Sequence, residues 1–276
     1  MSEELITNGD FEDGDFSGWT AIIGEVFIND VLNPYFEVLP ISGEYDAIMI
    51  AYPDPENDHE GALMVQVSAS LPENIVSATF SWSDRIFNFH DDFVTGTGGF
   101  PPTDGQEFAV YIASRSYDVT EGAQSSEGLD VPILFLVTGF YDDIVCMIDN
   151  VSLKVYTTDD IVEVNIDIKP GSDPNCFNND GHGVIPVAIL GSVDFDVNTI
   201  DAGSVMLEGL AVKAVGKSNK LLAHYNDINS DGHVDLVVQI EDDDLVFEEG
   251  DTIATVTGKL KDGMPIQGSD TICIVP

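Results

Sequence analysis

"HYNDINSDGHVDLVVQI", His224 to Ile240, opens on a cluster of oxygen-bearing side chains and closes on an apolar run. Asp227, Asn229, Asp231 and Asp235 gather around Gly232. The run that follows decides the fold. Val234, Leu236, Val238 and Ile240 alternate with Asp235, Val237 and Gln239, which is the period of two of a strand and not the 3.6 of a helix.

The same period recurs along the chain. "QEFAVYIAS" (106–114) sets Phe108, Val110 and Ile112 against Ala109, Tyr111 and Ala113. "VEVNIDIKPG" (162–171) alternates Val162, Val164, Ile166 and Ile168 with Glu163, Asn165 and Asp167, which predicts one continuous strand. "GVIPVAIL" (183–190) is apolar on both faces and predicts a central strand, while Pro186 argues for an edge or a bulge. Helical periodicity does not persist beyond a turn or two. Short strands between Gly, Pro, Asn and Asp clusters predict an all-β chain of two β-sandwiches. A polar joint in "VYTTDDIVEV" separates residues 1–157 from 158–276.

The chain has 50 acidic and 9 basic residues, a formal net charge of −41, yet 43% of it is hydrophobic, so the charge does not signal disorder. Nucleic acid and anionic membrane surfaces would be repelled and are not expected as partners. Such acidity fits a saline habitat, a calcium-rich exterior or simply a soluble acidic surface. "MSEELITNGDF" has neither a basic n-region nor an apolar run, and no stretch has the length of a membrane span. The expected location is extracellular or cell-surface, with any leader already removed. Cys146, in "YDDIVCMIDNV", reads as a buried small hydrophobe; Cys176 and Cys273 are either bridged or free.

"LITNGDFEDGDFSGWT" and "CMIDNVSLKVY" bracket the first half. They resemble the opening and close of the β-jelly-roll carbohydrate-binding modules of secreted proteins. Asn8, Gly9, Phe11, Glu12, Gly18 and Trp19 match the opening, and Asp149, Asn150 and Val151 the close. The resemblance implies a jelly roll over residues 1–157 and a calcium ion held by Glu12 and Asp149, residues that otherwise read as caps of strand ends. It also places Trp19 in the core. Sugar recognition needs exposed aromatic platforms with polar neighbours. Tyr111 faces away from Phe108, Val110 and Ile112, whereas Trp82 shares the parity of Phe80 and reads as core or as platform. Phe87, Phe89 and Tyr117 are further candidates, with Arg85, Arg115 and Gln106 as polar neighbours. The Gly- and Pro-rich run "FNFHDDFVTGTGGFPPTDG" (87–105) either builds a pocket or hides the face.

"DINSDGHVD" fits D-x-N-x-D-G-x-x-D, which puts Asp227, Asn229 and Asp231 at positions 1, 3 and 5 of a calcium loop. Gly232 makes the turn, the His233 carbonyl takes position 7, and Asp235 falls at position 9. Position 12, usually a bidentate Glu, is Val238, so further ligands are expected from Asp173, Asn175, Asn179 or Asp180. A metal-free turn built by Asn, Asp and Gly is the other reading. Residues 161–276 as a whole resemble a calcium-loop β-module of exported bacterial and archaeal multidomain proteins.

No nucleophile elbow, H-E-x-x-H or phosphate loop is present. The sequence therefore predicts no enzyme and no catalytic residue. It predicts a secreted calcium-binding protein that binds carbohydrate or adheres, or else a structural subunit of a surface layer, matrix or filament. Calcium, a glycan and other copies of the chain are the expected partners.

Overall fold

A computed structural model describes residues 2–32, 34, 38–51, 61–88, 109–138, 144–178, 182–242 and 246–275, without the side chains of 87–88, 109–113 and 138. The chain is all-β and divides into two compact units, Met1–Thr157 and Thr158–Pro276.

The first unit contains β1 (Glu3–Glu4), β2 (Thr20–Ile23), β3 (Glu25–Asp30), β4 (Tyr45–Ala51) and β5 (Gly61–Val67). After these come β6 (Ile75–Asn88), β7 (Ala109–Asp118), a short helix α1 (Thr120–Gln124), β8 (Pro132–Thr138) and β9 (Ile144–Thr157). One sheet runs β3-β4-β9-β6-β7, with β1 also paired to β9; the other runs β2-β5-β8. Ala47, Met49, Cys146 and Ile148 from the first sheet pack with Ala62, Met64 and the partly buried Phe135 from the second, around Phe11 and Trp19. The opposite face of the larger sheet is apolar too. There Ile48, Ile50, Val145 and Met147 form a second cluster with Val38, Phe27 and Ile41. Two-sided burial explains why β4 and the start of β9 read as unbroken apolar runs.

The second unit contains β10 (Val162–Glu163), β11 (Ile166–Ile168), β12 (Cys176–Asn178), β13 (Val184–Ile189), β14 (Ile200–Leu207) and β15 (Leu210–Ala211). It continues with β16 (Ala214–Val215), β17 (Lys220–Leu221), β18 (Ala223–Asn226), β19 (Asp235–Glu241), β20 (Ile253–Leu260), β21 (Pro265–Thr271) and β22 (Cys273–Val275). A sheet ordered β10-β21-β20-β14-β15 faces one ordered β11-β13-β19-β18, and the β12-β22 and β16-β17 pairs complete the unit. Ile185, Val187 and Ile189 meet Leu236, Val238, Ile240, Leu207 and Val256 in its core.

Two expectations are corrected here. The predicted strand over 162–168 is two strands in different sheets. Val164 N–H still bonds the Gln267 carbonyl at 2.7 Å, whereas the Asn165 carbonyl accepts from Leu190 N–H at 2.8 Å. The chain crosses between sheets at that step without breaking its alternation. Pro186 lies inside β13, which is flanked by both β11 and β19 and is not an edge. Its carbonyl accepts from Lys169 N–H at 2.7 Å, just past the end of β11, so the missing proline N–H falls where no ladder partner remains. Cys176 and Cys273 form a disulfide that spans 97 residues and joins β12 to β22.

Candidate functional site

Three constellations carry the residues singled out in the sequence. The first is a strap over the outer face of the larger sheet, in the connection between β3 and β4. Parity along β4 and β9 sends Asp46 and Asp149 to that face, beside Ile48 and Met147. The strap's backbone is fastened by side chains. Asn29 Nδ2 donates to the Val38 carbonyl at 3.2 Å and Arg85 Nη1 to the Leu39 carbonyl at 2.8 Å. Asp46 Oδ2 accepts Ile41 N–H at 2.9 Å, and Asp149 Oδ2 accepts Ser42 N–H at 3.0 Å and its hydroxyl at 2.7 Å. Glu12 reaches in from the N-terminal segment, with Oε1 accepting the amides of Glu44 at 2.9 Å and Tyr45 at 3.1 Å. A Cβ on Gly43 would sit 2.1 Å from Glu12 Oε1, at a φ of +59°, so the turn needs glycine there. Glu12 itself is placed by the Asn-Gly opening. Gly9 carbonyl accepts Val151 N–H at 2.8 Å, and a Cβ on Gly9 would lie 1.8 Å from the Val151 carbonyl oxygen.

Glu12 and Asp149 thus converge on one turn, and the Glu12 charge helps to raise the pKa of Asp149, after its burial. Asp46, not anticipated from the sequence, is fully buried, and its Oδ1 has no hydrogen-bond partner. Burial, and to a lesser extent the Asp149 charge, push its pKa up to about 7. The sequence does contain a signal for it, since Asp46 is the one acid in the apolar run "YDAIMIA".

The second constellation is aromatic. Phe11, Trp19, Phe135, Phe80 and Trp82 form a chain of rings with centroids 5.2 to 6.3 Å apart. Tyr117 caps this chain, stacked on Trp82 at 5.5 Å and 23°, and is 51% exposed. Trp82 is therefore packing support under Tyr117, with its Nε1 donating to Asp84 Oδ2 at 3.0 Å. The buried Asp84 pairs with Arg115 through both guanidinium Nε and Nη2. This pairing raises the pKa of Arg115 and holds it beside Tyr117. Arg85, expected in the same site as Trp82, points to the opposite face of the sheet. Residues an odd number apart in a strand cannot share a face, and Arg85 serves the strap. Tyr111 stands opposite Ile86 and Phe87 opposite Val110 in the β6–β7 register, but their side chains lie outside the described residues, as do Phe89, Gln106 and most of 87–105.

The third constellation is the hairpin loop between β18 and β19, closed by the Asn226–Asp235 pair. Asp227 Oδ1 accepts Asp231 N–H at 3.1 Å and its Oδ2 accepts Gly232 N–H at 3.0 Å. Asn229 Oδ1 also accepts Asp231 N–H, at 3.0 Å, and Asn229 Nδ2 donates to Asp231 Oδ2 at 2.9 Å. Asp231 Oδ1 accepts His233 N–H at 2.8 Å, which, with the Asn229 bond, lowers the Asp231 pKa. Three side chains do converge. Asp235 does not join them. It is fully buried and spends one oxygen on Ile228 N–H and the other on Gly191 N–H, both at 2.9 Å. It staples the loop to the turn after β13. Val238 is buried in the core and offers no ligand.

The extra donors expected from 173–180 are also elsewhere. Asn175 Nδ2 donates to Asp270 Oδ2 and to the Thr271 carbonyl, both at 3.0 Å. The segment Asp173–Asn178 leads toward the start of β13, which pairs with Glu241, whereas the loop adjoins the other end of β13 at Leu236. Asn179 and Asp180 lie outside the described residues. Among the described residues no group of three or more His, Cys, Asp or Glu side chains is arranged to hold a metal ion. The residue types at 227–231 suit calcium, but the three side chains and one carbonyl fall short of the six to eight oxygens it takes. Burial pushes the Cys146 thiol up to about 12, so it is no nucleophile at neutral pH.

No family model matches the chain, and no curated protein matches it. Solved structures give weak likenesses. The glycoside hydrolase domain of Spr0440, Endo-D, from Streptococcus pneumoniae R6 aligns at 12% identity and a TM-score of 0.25, over 92% of this chain and 36% of that one. The enzymatically active domain of tailspike protein 4 from bacteriophage CBA120 aligns at 13% and 0.19, over 55% and 20%. A bacterial ice-binding adhesin structure aligns at 12% and 0.21, over 100% and 98%. The chain thus spans about a third and a fifth of the first two. At these scores the likenesses carry no argument about function.

Asp46 gives a signed pH dependence. Its pKa rises from 3.8 to about 7 on folding. Between those values the folded chain holds a proton that the unfolded chain has lost, so stability falls as pH climbs through that window. Asp46→Asn keeps an acceptor for Ile41 N–H and removes the charge. In chelator, the variant is expected to be more stable than the parent by about 1–3 kcal/mol at pH 8. The gap should close near pH 4, as read by thermal melts across pH.

Proposed function

We propose that the chain is a non-catalytic β-protein of an oxidising exterior, stabilised by calcium, whose first unit engages a glycan at Tyr117 and Arg115. The observation that carries the glycan reading is the Tyr117 ring, exposed on one face and backed by Trp82 on the other. A sugar ring stacks on such a platform, and Arg115, oriented by Asp84, supplies hydrogen-bond donors to hydroxyls. Tyr117→Ala removes the platform and leaves the Asp84–Arg115 pair in place. In a polysaccharide pull-down or glycan array the variant should lose roughly three- to tenfold in retention, about the worth of one ring contact. Absence of any glycan bound by the parent chain, or equal retention by the variant, would contradict the reading.

Calcium binding is proposed at the 227–233 loop. Asp227, Asn229, Asp231 and the His233 carbonyl supply the protein oxygens, and water fills the remaining positions. A site so short of protein ligands belongs to the weak range, about 10⁻⁴–10⁻³ M. The disulfide and the abundance of calcium outside cells fit that location. Titration calorimetry should find binding in this range, and about 10 mM calcium should raise the melting temperature by several degrees through linkage of roughly 1–3 kcal/mol. Asp231→Ala should abolish both effects, and a melting curve indifferent to calcium and chelator would sink the proposal.

A further inference from the structure

The three-stranded sheet of the first unit differs chemically from every other strand of that unit. β2, β5 and β8 read TAII, GALMVQV and PILFLVT and hold no Asp, Glu, Lys or Arg. Each strand of the larger sheet carries at least one charge, among them Glu3, Glu25, Asp46, Arg85, Arg115 and Asp149. Ala62, Met64 and Gln66 turn inward, so the register sends Leu63, Val65 and Val67 outward with Ile23 on one side and Leu134 and Leu136 on the other. Four of these six are more than half exposed: Ile23 at 51%, Val67 at 59%, Leu134 at 55% and Leu136 at 61%. A contiguous apolar face of this kind is about as large as a lone soluble chain usually carries, and such faces often serve an interaction. Its six positions lie side by side on three paired strands.

We propose that this face is where two copies of the chain pair, sheet against sheet. The argument is one of charge and area. At −41 each, two copies repel wherever carboxylates would meet, and like charges brought together at a contact are strongly penalised. The uncharged face lets two copies touch without opposing acids. The exposed area of the six side chains is on the order of 500 Å² per copy, so pairing buries on the order of 1,000 Å², at the lower limit for a specific, weak interface. A two-fold arrangement sets each patch on itself and closes the assembly at two chains. Two such sheets stack about 10 Å apart, with side chains interleaved. The rest of the surface still repels at long range. Pairing is therefore suppressed at low salt and released when added salt shortens the screening length to about 3 Å near 1 M.

The test is the mass of the 276-residue chain by light scattering on a sizing column, in chelator so that metal bridging cannot mimic pairing. Potassium chloride is varied from about 0.1 to 3 M. The parent should shift from one chain to two as salt rises. Leu134→Ser/Leu136→Ser should need at least about tenfold more protein to pair, with an unchanged melting temperature at about 0.1 M salt, where both are single chains and both positions are exposed. Val67→Thr, nearly isosteric, should weaken pairing in the same direction and serves if the double variant does not fold. A parent monomeric at every salt concentration overturns the proposal, as does a folded variant that pairs equally well, or growth past two chains.

Discussion

A carboxylate taken out of water keeps its charge only where donors surround it. In this chain Asp84 is served by the side chains of Trp82 and Arg115, and the carboxylates that tie down turns are served chiefly by main-chain amides. The buried Asp46, Asp149 and Asp235, together with the exposed Glu12, each reach across a turn and accept N–H groups from residues far away in sequence or on the other side of a loop. A hydrogen bond to a charged group is worth roughly 1.5–3 kcal/mol, which is enough to fix a turn that has little apolar surface of its own. The strap from Val38 to Tyr45 and the loop from Asp227 to Val234 both depend on this arrangement. So does the second apolar cluster of the first unit, since Val38 and Ile41 rest on Ile48, Ile50, Val145 and Met147 only while the strap is tied down.

The same arrangement reconciles extreme acidity with a packed fold. Among the described residues Asp46, Asp84, Asp149 and Asp235 are consumed as internal fasteners, and most of the other described acids project into solvent, where their mutual repulsion is screened by salt. Asp46 shows the cost. One of its oxygens is satisfied and the other is not, and burial leaves a carboxyl that stays protonated to near neutrality. Asp235, with both oxygens bonded, shows the satisfied form of the same device.

The all-β character was legible because strand alternation is a local property. Sheet membership was not: Val162 to Ile168 alternates perfectly while the chain changes sheets at Val164–Asn165, and nothing in a period of two records which neighbour a strand will take. The resemblance at Asn8–Glu12 and Asp149–Val151 pointed to two segments that do meet on one turn. Trp82 and Arg85 lie three positions apart, so parity alone parts them; Arg115, directly across from Trp82 in the register, is the polar neighbour on its face. The place of Asp235 is hidden from the sequence for a subtler reason. Spacing within a loop says how far apart residues are, not that the last of them already belongs to the strand and faces the Gly191 turn. Asp84 and Asp46 went unread because a lone acid in an apolar strand gives no hint of its partner.

Amide hydrogen exchange by NMR tests most directly whether carboxylates hold these turns. The amides of Ser42, Glu44, Gly191 and Ile228 lie in turns, outside the strands, so only their bonds to Asp149, Glu12 and Asp235 would slow exchange. Protection at those four amides comparable to that of the strand interiors, lost at Ser42 alone in Asp149→Ala and at Gly191 and Ile228 together in Asp235→Ala, is the predicted result. Exchange at unprotected rates in the parent chain would contradict it.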